Sequence, residues 1–289
     1  MDFYTKLAFK FFGQYTETFS LFFTDLKTDL RKARMMISTE EYISIAILTT
    51  LIVFLFEVPI FSYIFGFIFK AFLFSFITAF TVSLVFSLLI FVFFIKYPKI
   101  VIGERSKNID NVLPFASLYL STVASSKLPL DKTFKIFSKF SRYGPVTEEI
   151  NSITKDIEVF GLDIHTAIGK SIDRNPSKNL KDVLWGILST SVSGGDIAVY
   201  LREKSKSLMQ EYTRRLNEYS KKLTLFIEIY LTLVILGAIF FIILSSIFSS
   251  LGGSTSGILM LQSLIIFIFI PLLSLFFIIM VKMSSPGGE

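Results

Sequence analysis

Four acidic residues, one histidine and two runs of basic residues mark where chemistry could reside in this 289-residue chain. Glu57 and Glu228 stand within long apolar stretches. A carboxylate held in hydrocarbon costs several kcal/mol and is by default a functional position. An acid at the membrane interface carries no such cost. Glu228 opens its apolar stretch close to Lys221-Lys222, and Ile229–Ser250 is itself long enough to span, so an interfacial place accounts for it. Glu57 is read, with Pro59 and Lys70, at or near the far interface. Glu148-Glu149 has the form of a paired acid, yet carboxylates near a helix N-terminus are favoured by the helix dipole and read as a solvated face. His165, two residues past Asp163, reads as a solvated or locally hydrogen-bonded side chain. With no Cys there is no disulfide framework, thiolate metal site or cysteine nucleophile, and a single His excludes a multi-histidine metal site. No glycine-rich loop ends in Lys-Ser/Thr, so the chain has no P-loop. Gly194-Gly195 lacks the strand a dinucleotide site needs and reads as a helix end. The reading is a non-enzyme with no cofactor and no metal.

The basic residues give a different signal. Lys132, Lys135 and Lys139 share one side of a short helical segment, and Arg202, Lys206, Arg214 and Arg215 recur along a longer one. One reading is a solvated face with topology-setting charge near anionic lipid. The other is a docking surface for an acidic protein partner. Nucleic acid is disfavoured, because the aromatic residues among these charges look core-facing.

What must position these residues is mostly membrane. Apolar residues make up 52% of the chain, charged ones 18% and aromatics 16%, with a mean hydropathy of +0.64. Between Ile43 and Ile95 only Glu57 and Lys70 are charged, and between Leu223 and Val281 only Glu228. Each stretch suffices for two passes at about 20 residues per spanning helix. The expected spans are Tyr42 to Ile60, Ala71 to Ile95, a third ending near Ser250, and Ile258 to Val281. Ile60–Phe69 is read as a membrane-surface turn or the start of the second helix. A turn is expected at Gly252–Gly257, and a kink at Pro271 inside the fourth span. Segment 97–222 carries 20 basic and 14 acidic residues, hence the whole net charge of +6. The basic residues flanking the spans place both termini and this block in the cytoplasm.

The polar block has helical periodicity throughout. Six helices are expected: Ile109 to Ser125, one capped by Asp131 that buries Phe134 and Phe137, and one opened by Gly144-Pro145 and ended by Gly161. The remaining three are capped by Asp163, Ser177 and Asp196, and the last runs unbroken into the third span. Trp185 is read as a core or groove anchor. The fold class is thus an all-α membrane protein with about four spanning helices and a six-helix cytoplasmic bundle between the second and third. Its segments are 1–41, an amphipathic N-terminal part; 42–96, a spanning hairpin; 97–222, the bundle; 223–283, a second hairpin; and 284–289, a tail.

Six short motifs carry a resemblance. Leu30, Ala33, Met35, Ser38 and Glu40-Glu41-Tyr42 resemble the "L-x-x-A-x-M-x-x-S/P-x-E-E-Y" entry to the first membrane helix of archaeal platform proteins. Asp110 to Pro114 resembles a "D-x-x-L-P" start, and Gly144-Pro145 with Glu149-Ile150 a "G-P-x-x-x-E-I" segment. Asp156, Gly161, Asp163 and Ala167 fit "D-x-x-x-x-G-x-D-x-x-x-A". Pro176-Ser177 and Gly194-Gly195-Asp196 to Leu201 complete the series. In this order, over about Leu26 to Ser250, the set is similar to the platform proteins of type II secretion, type IV pili and the archaellum, in a single-module archaeal form. The resemblance implies a six-helix antiparallel bundle and an inner-membrane base on which a cytoplasmic assembly ATPase acts while pilin-like subunits enter a filament. A single module also implies a homodimer or pairing with a related platform protein. The reading from a different class is a helical membrane receptor or signalling adaptor, against which the very short external loops count. A secondary transporter is poorer still.

Overall fold

The computed structural model describes residues 2–20, 23–250, 257, 260 and 263–284, and every regular element among them is helical. In chain order these are α1 (Asp2–Ser20), α2 (Thr24–Lys32), α3 (Thr39–Phe69), α4 (Phe72–Ala124) and α5 (Leu130–Ser138). A 3-10 turn, Ser141–Tyr143, precedes α6 (Gly144–Glu158), α7 (Ile164–Arg174), α8 (Lys178–Val192) and α9 (Ile197–Ser250). A π-helical turn, Ile265–Phe269, leads into α10 (Ile270–Ser284). Three helices, α3, α4 and α9, are long and apolar enough to cross a membrane, and Phe267–Lys282 is a shorter apolar helix.

α3 begins with a reciprocal cap. The Ser38 hydroxyl accepts from the Glu41 amide at 3.1 Å, and the Glu41 carboxylate accepts from the Ser38 amide at 3.0 Å. α1 lies against this entry, with Thr16 Oγ1 and Ser44 Oγ 3.3 Å apart and Tyr4 bonded to Thr49 at 2.9 Å. The expected turn at Ile60–Phe69 is not there. That run carries no charge, so α3 stays helical until Lys70, whose left-handed backbone (φ 51°) ends it. Glu57 therefore stands about 20 Å along the helix axis from Lys70 at 1.5 Å per residue. The two cannot share one interface, which corrects the expected placement.

α4 is one helix of 53 residues, where a spanning helix and a separate bundle helix were expected. Two prolines lie within it, and each frees the carbonyl four residues earlier. For Pro98 that carbonyl is Phe94 O, which the Tyr42 hydroxyl of α3 takes at 2.8 Å. The Gly252–Gly257 turn and the start of the fourth span lie, Gly257 and Met260 apart, outside the described residues. Pro271 stands just after the π turn, inside a helical run that continues from Ser263 to Ser284. Prolines and π turns are both identifiable places where a helix bends.

Away from the apolar ends, α4 to α9 share one core. Ile109, Leu113 and Leu120 of α4 meet Phe134 and Phe137 of α5, Ile150 and Ile153 of α6, Ile168 of α7, Leu184 and Ile187 of α8 and Leu201 of α9. These recur every three or four residues, the period that puts them on one face. Asp163 caps α7 through the His165 and Thr166 amides, Ser177 caps α8, and Asp196 accepts from the Ala198 and Val199 amides. Gly161 follows α6 at φ 65°, a conformation glycine adopts without penalty. Asp131, expected as a cap, lies inside the first turn of α5, which Pro129 precedes as the N-cap residue. Trp185 is 59% exposed, because Leu180, Val183, Leu184 and Ile187 fill the core-facing side of α8. It is not a core anchor. α8 and α9 lie close together at Gly186, where an added Cβ would stand 2.0 Å from the Tyr200 ring.

Candidate functional site

The basic residues of α9 line a groove where the helix leaves the bundle beside α4. Phe115 of α4 meets Tyr212 of α9 edge-on at 5.5 Å, and Leu118 and Met209 form the groove's apolar floor. Arg202, Lys206, Arg214 and Lys221 line it, with Glu203 and Glu218. Arg214 is tied to Glu218 at 2.7 Å in an i,i+4 pair, worth a few tenths of a kcal/mol on a helix surface. Arg202 and Lys206 are exposed. Arg215 departs from the set. Its Nε is buried and lies 3.9 Å from Glu211, and its charge acts on Asp110 of α4. Three of the four expected α9 cations thus share the groove, and the fourth, half-buried, turns toward Glu211 and Asp110.

The α5 lysines form a separate patch. α5 packs chiefly on α6 and α4. Lys132 and Lys139 are exposed, while Lys135 bridges to Glu158 of α6 at 2.6 Å. Glu228 is exposed on α9. Glu57 is half-buried on α3, and its Oε2 is buried without a hydrogen-bond partner among the described residues. The structure does not bring these two acids to the basic groove. His165 keeps local company, with Nε2 3.2 Å from Ser191 Oγ. Among the described residues no group of three or more His, Cys, Asp or Glu could hold a metal ion.

The pair Glu148-Glu149 corrects the sequence reading. Glu148 is solvated, but the Glu149 side chain is 2% exposed. Arg34 Nη2 reaches it at 3.1 Å, Arg105 bonds to it, and Arg174 Nε lies 3.9 Å away. Arg34 also pairs with Glu148 at 3.1 Å, and Arg174 with Asp156 at 3.2 Å. This network fastens the α2–α3 link, α4, α6 and α7 to one another. Burial lowers the Arg105 guanidinium from its usual range, and the Glu149 carboxylate opposes that shift. A second fastening joins α4 to the start of α8. The Ser177 hydroxyl donates to Asp110 at 2.5 Å, and burial raises the Asp110 carboxyl. Capping spacing pointed to Ser177, but nothing in the order of residues showed that its hydroxyl would bond Asp110.

The molecule is a membrane-type helical protein whose polar bundle is threaded by two of its apolar helices. Residues 116–245 match the family model described as Type II secretion system (T2SS), protein F, the family that the motifs led us to expect. An uncharacterized protein of Methanocaldococcus jannaschii is 31% identical over 134 residues, covering 46% of this chain and 22% of the relative. The chain therefore spans about a fifth of that relative's length. No solved structure matches.

Proposed function

We propose that this protein is the inner-membrane platform of an archaeal-type pilus, archaellum or type II secretion machine, coupling a cytoplasmic assembly ATPase to the entry of pilin-like subunits into a filament. The observation that carries the reading is the pair α4 and α9. Each passes without interruption between the shared core and an apolar segment long enough to span. A load on the bundle is delivered to the membrane through continuous helix, with no loop to absorb it. The family match supplies the context. In this reading the chain crosses the membrane four times, both termini and 97–222 are cytoplasmic, and the platform works as a homodimer or with a related partner. It turns over no substrate of its own.

The ATPase docks on the α9 groove through Arg202, Lys206 and Arg214, with Lys132 and Lys139 of α5 adding charge nearer the loops. Single exposed charge pairs contribute about 0–1 kcal/mol, so one substitution changes little. Reversing Arg202, Lys206 and Arg214 together to Glu abolishes co-purification with the cognate secretion-type ATPase and leaves folding and membrane insertion intact. Capture of the ATPase undiminished at physiological salt would place the contact elsewhere.

A further inference from the structure

A second basic concavity lies apart from the α9 groove, between the α2–α3 link, α6 and α7. Its walls carry Arg31, Lys32, Arg34, Lys155, Lys170 and Arg174 against only two acids, Glu148 and Asp173. The charges sort into two layers. The inner one closes on itself: Arg34, Arg105 and Arg174 are matched by Glu148, Glu149 and Asp156. The outer one does not. Arg31, Lys155 and Lys170 are exposed, Lys32 is half-buried, and among the described residues none of the four has an ion-pair partner within 4 Å. Asp173 is the one acid left to face them. Arg174, in the wall, has a buried Nη2 without a hydrogen-bond partner. Arg34 is held at φ 55°, left-handed for a residue with a side chain, a conformation that persists only where surrounding contacts impose it.

We infer that this concavity binds a phosphate-bearing anion. Four cations against the single acid Asp173 around one hollow call for a compact group with more than one negative charge and several acceptor oxygens. Phosphate meets both needs, and guanidinium and ammonium donors are its usual partners. A side-chain carboxylate brings a single charge and would leave most of the set unmatched. Two sources offer the same chemistry. α2 is pinned to α4 by Asp29 and Lys99 at 3.9 Å, a few residues past the apolar stretch that ends at Ile95. A lipid headgroup phosphate is therefore as near as a soluble polyphosphate. The inference stands independently of the function proposed above.

The test uses the full chain. In neutral detergent, pyrophosphate is titrated by calorimetry and thermal shift. In parallel, the protein is placed in phosphatidylcholine nanodiscs with and without phosphatidylglycerol. One variant reverses two exposed wall residues, Lys155→Glu with Lys170→Glu, and a control reverses Lys127 and Lys178, exposed cations outside the concavity. The expected result is that pyrophosphate, anionic discs or both raise the melting temperature of the native chain and of the control. The wall variant, folded by circular dichroism, loses that response or binds at least about tenfold more weakly. A response to pyrophosphate alone identifies a soluble phosphate compound, and a response to phosphatidylglycerol alone identifies a headgroup. No response to either probe, or an equal response in the wall variant, overturns the inference.

Discussion

Glu148 and Glu149 are adjacent in sequence and opposite in physics. One turns to water, while the other sits among three guanidinium groups at 2% exposure. Removing one partner of a buried charge set leaves the rest unpaired, at about 3–5 kcal/mol, whereas a solvated pair is worth about 0–1 kcal/mol. Glu149→Gln should therefore lower the unfolding free energy in detergent by about 3–5 kcal/mol, and Glu148→Gln by less than about 1 kcal/mol, both measured by denaturant titration. Equal losses would show that the buried network carries no special weight. The motif spacing pointed to Glu149, but the 100° turn between neighbouring helical residues decides which acid is interior. A single sequence does not show where the bundle will lie around that turn. Tyr42 gives the same lesson, since its hydroxyl caps a carbonyl that Pro98 freed fifty-odd residues away in the chain.

Helices as such were legible, because apolar period and capping chemistry act over a few residues. The α6 set Val146, Ile150 and Ile153 and the α7 set Ala167, Ile168 and Ile172 are buried as their spacing requires. Helix ends without a breaker were not legible. Ile60–Phe69, flanked by Pro59 and Lys70, and the polar Lys96–Asn108 both continue a helix, since hydrogen-bonded backbone tolerates either environment. Close approaches were hidden too. Gly186 has no turn to make, and its role is to let α9 come near enough for the Tyr200 hydroxyl to donate to Asp182 O at 3.2 Å. Gly186→Ala should displace that ring and cost about 1–3 kcal/mol, despite alanine's better helix propensity. A variant melting at or above the native temperature would show that the ring swings away freely.

At the scale of the whole molecule, three tyrosines mark a common level. Tyr42 bonds to α4 at Phe94. α4 and α9 run antiparallel from the Phe115–Tyr212 contact, and stepping equally far along each brings Tyr97 level with Tyr230. Tyrosines at one height suit a membrane interface. A membrane interface at that level would put Glu228 beside it and Glu57 about 22 Å along α3 from it. The chain has no native Cys, so single-cysteine labelling in oriented vesicles is clean. Lys70→Cys and Ser254→Cys should react only with external reagent, Lys222→Cys only from the cytoplasmic side, and Glu57→Cys with neither. Reaction of Ser254→Cys from the cytoplasmic side alone would overturn the topology.

The length of α3 has a consequence for the lipid itself. From Tyr42 to Phe69 its apolar run is about 42 Å long, against about 30 Å of hydrocarbon in an ordinary bilayer. This is hydrophobic mismatch, and it must be relieved by steep tilt, by local thickening or by projecting a phenylalanine-rich tip beyond the headgroups. Each route costs fractions of a kcal/mol per Å, and neighbours of matching length lower that cost by sharing the same distorted lipid. Elastic stress in the bilayer would thus favour neighbours with long helices beside this protein, without any specific contact. The labelling boundary around Lys70 reports how the excess length is absorbed.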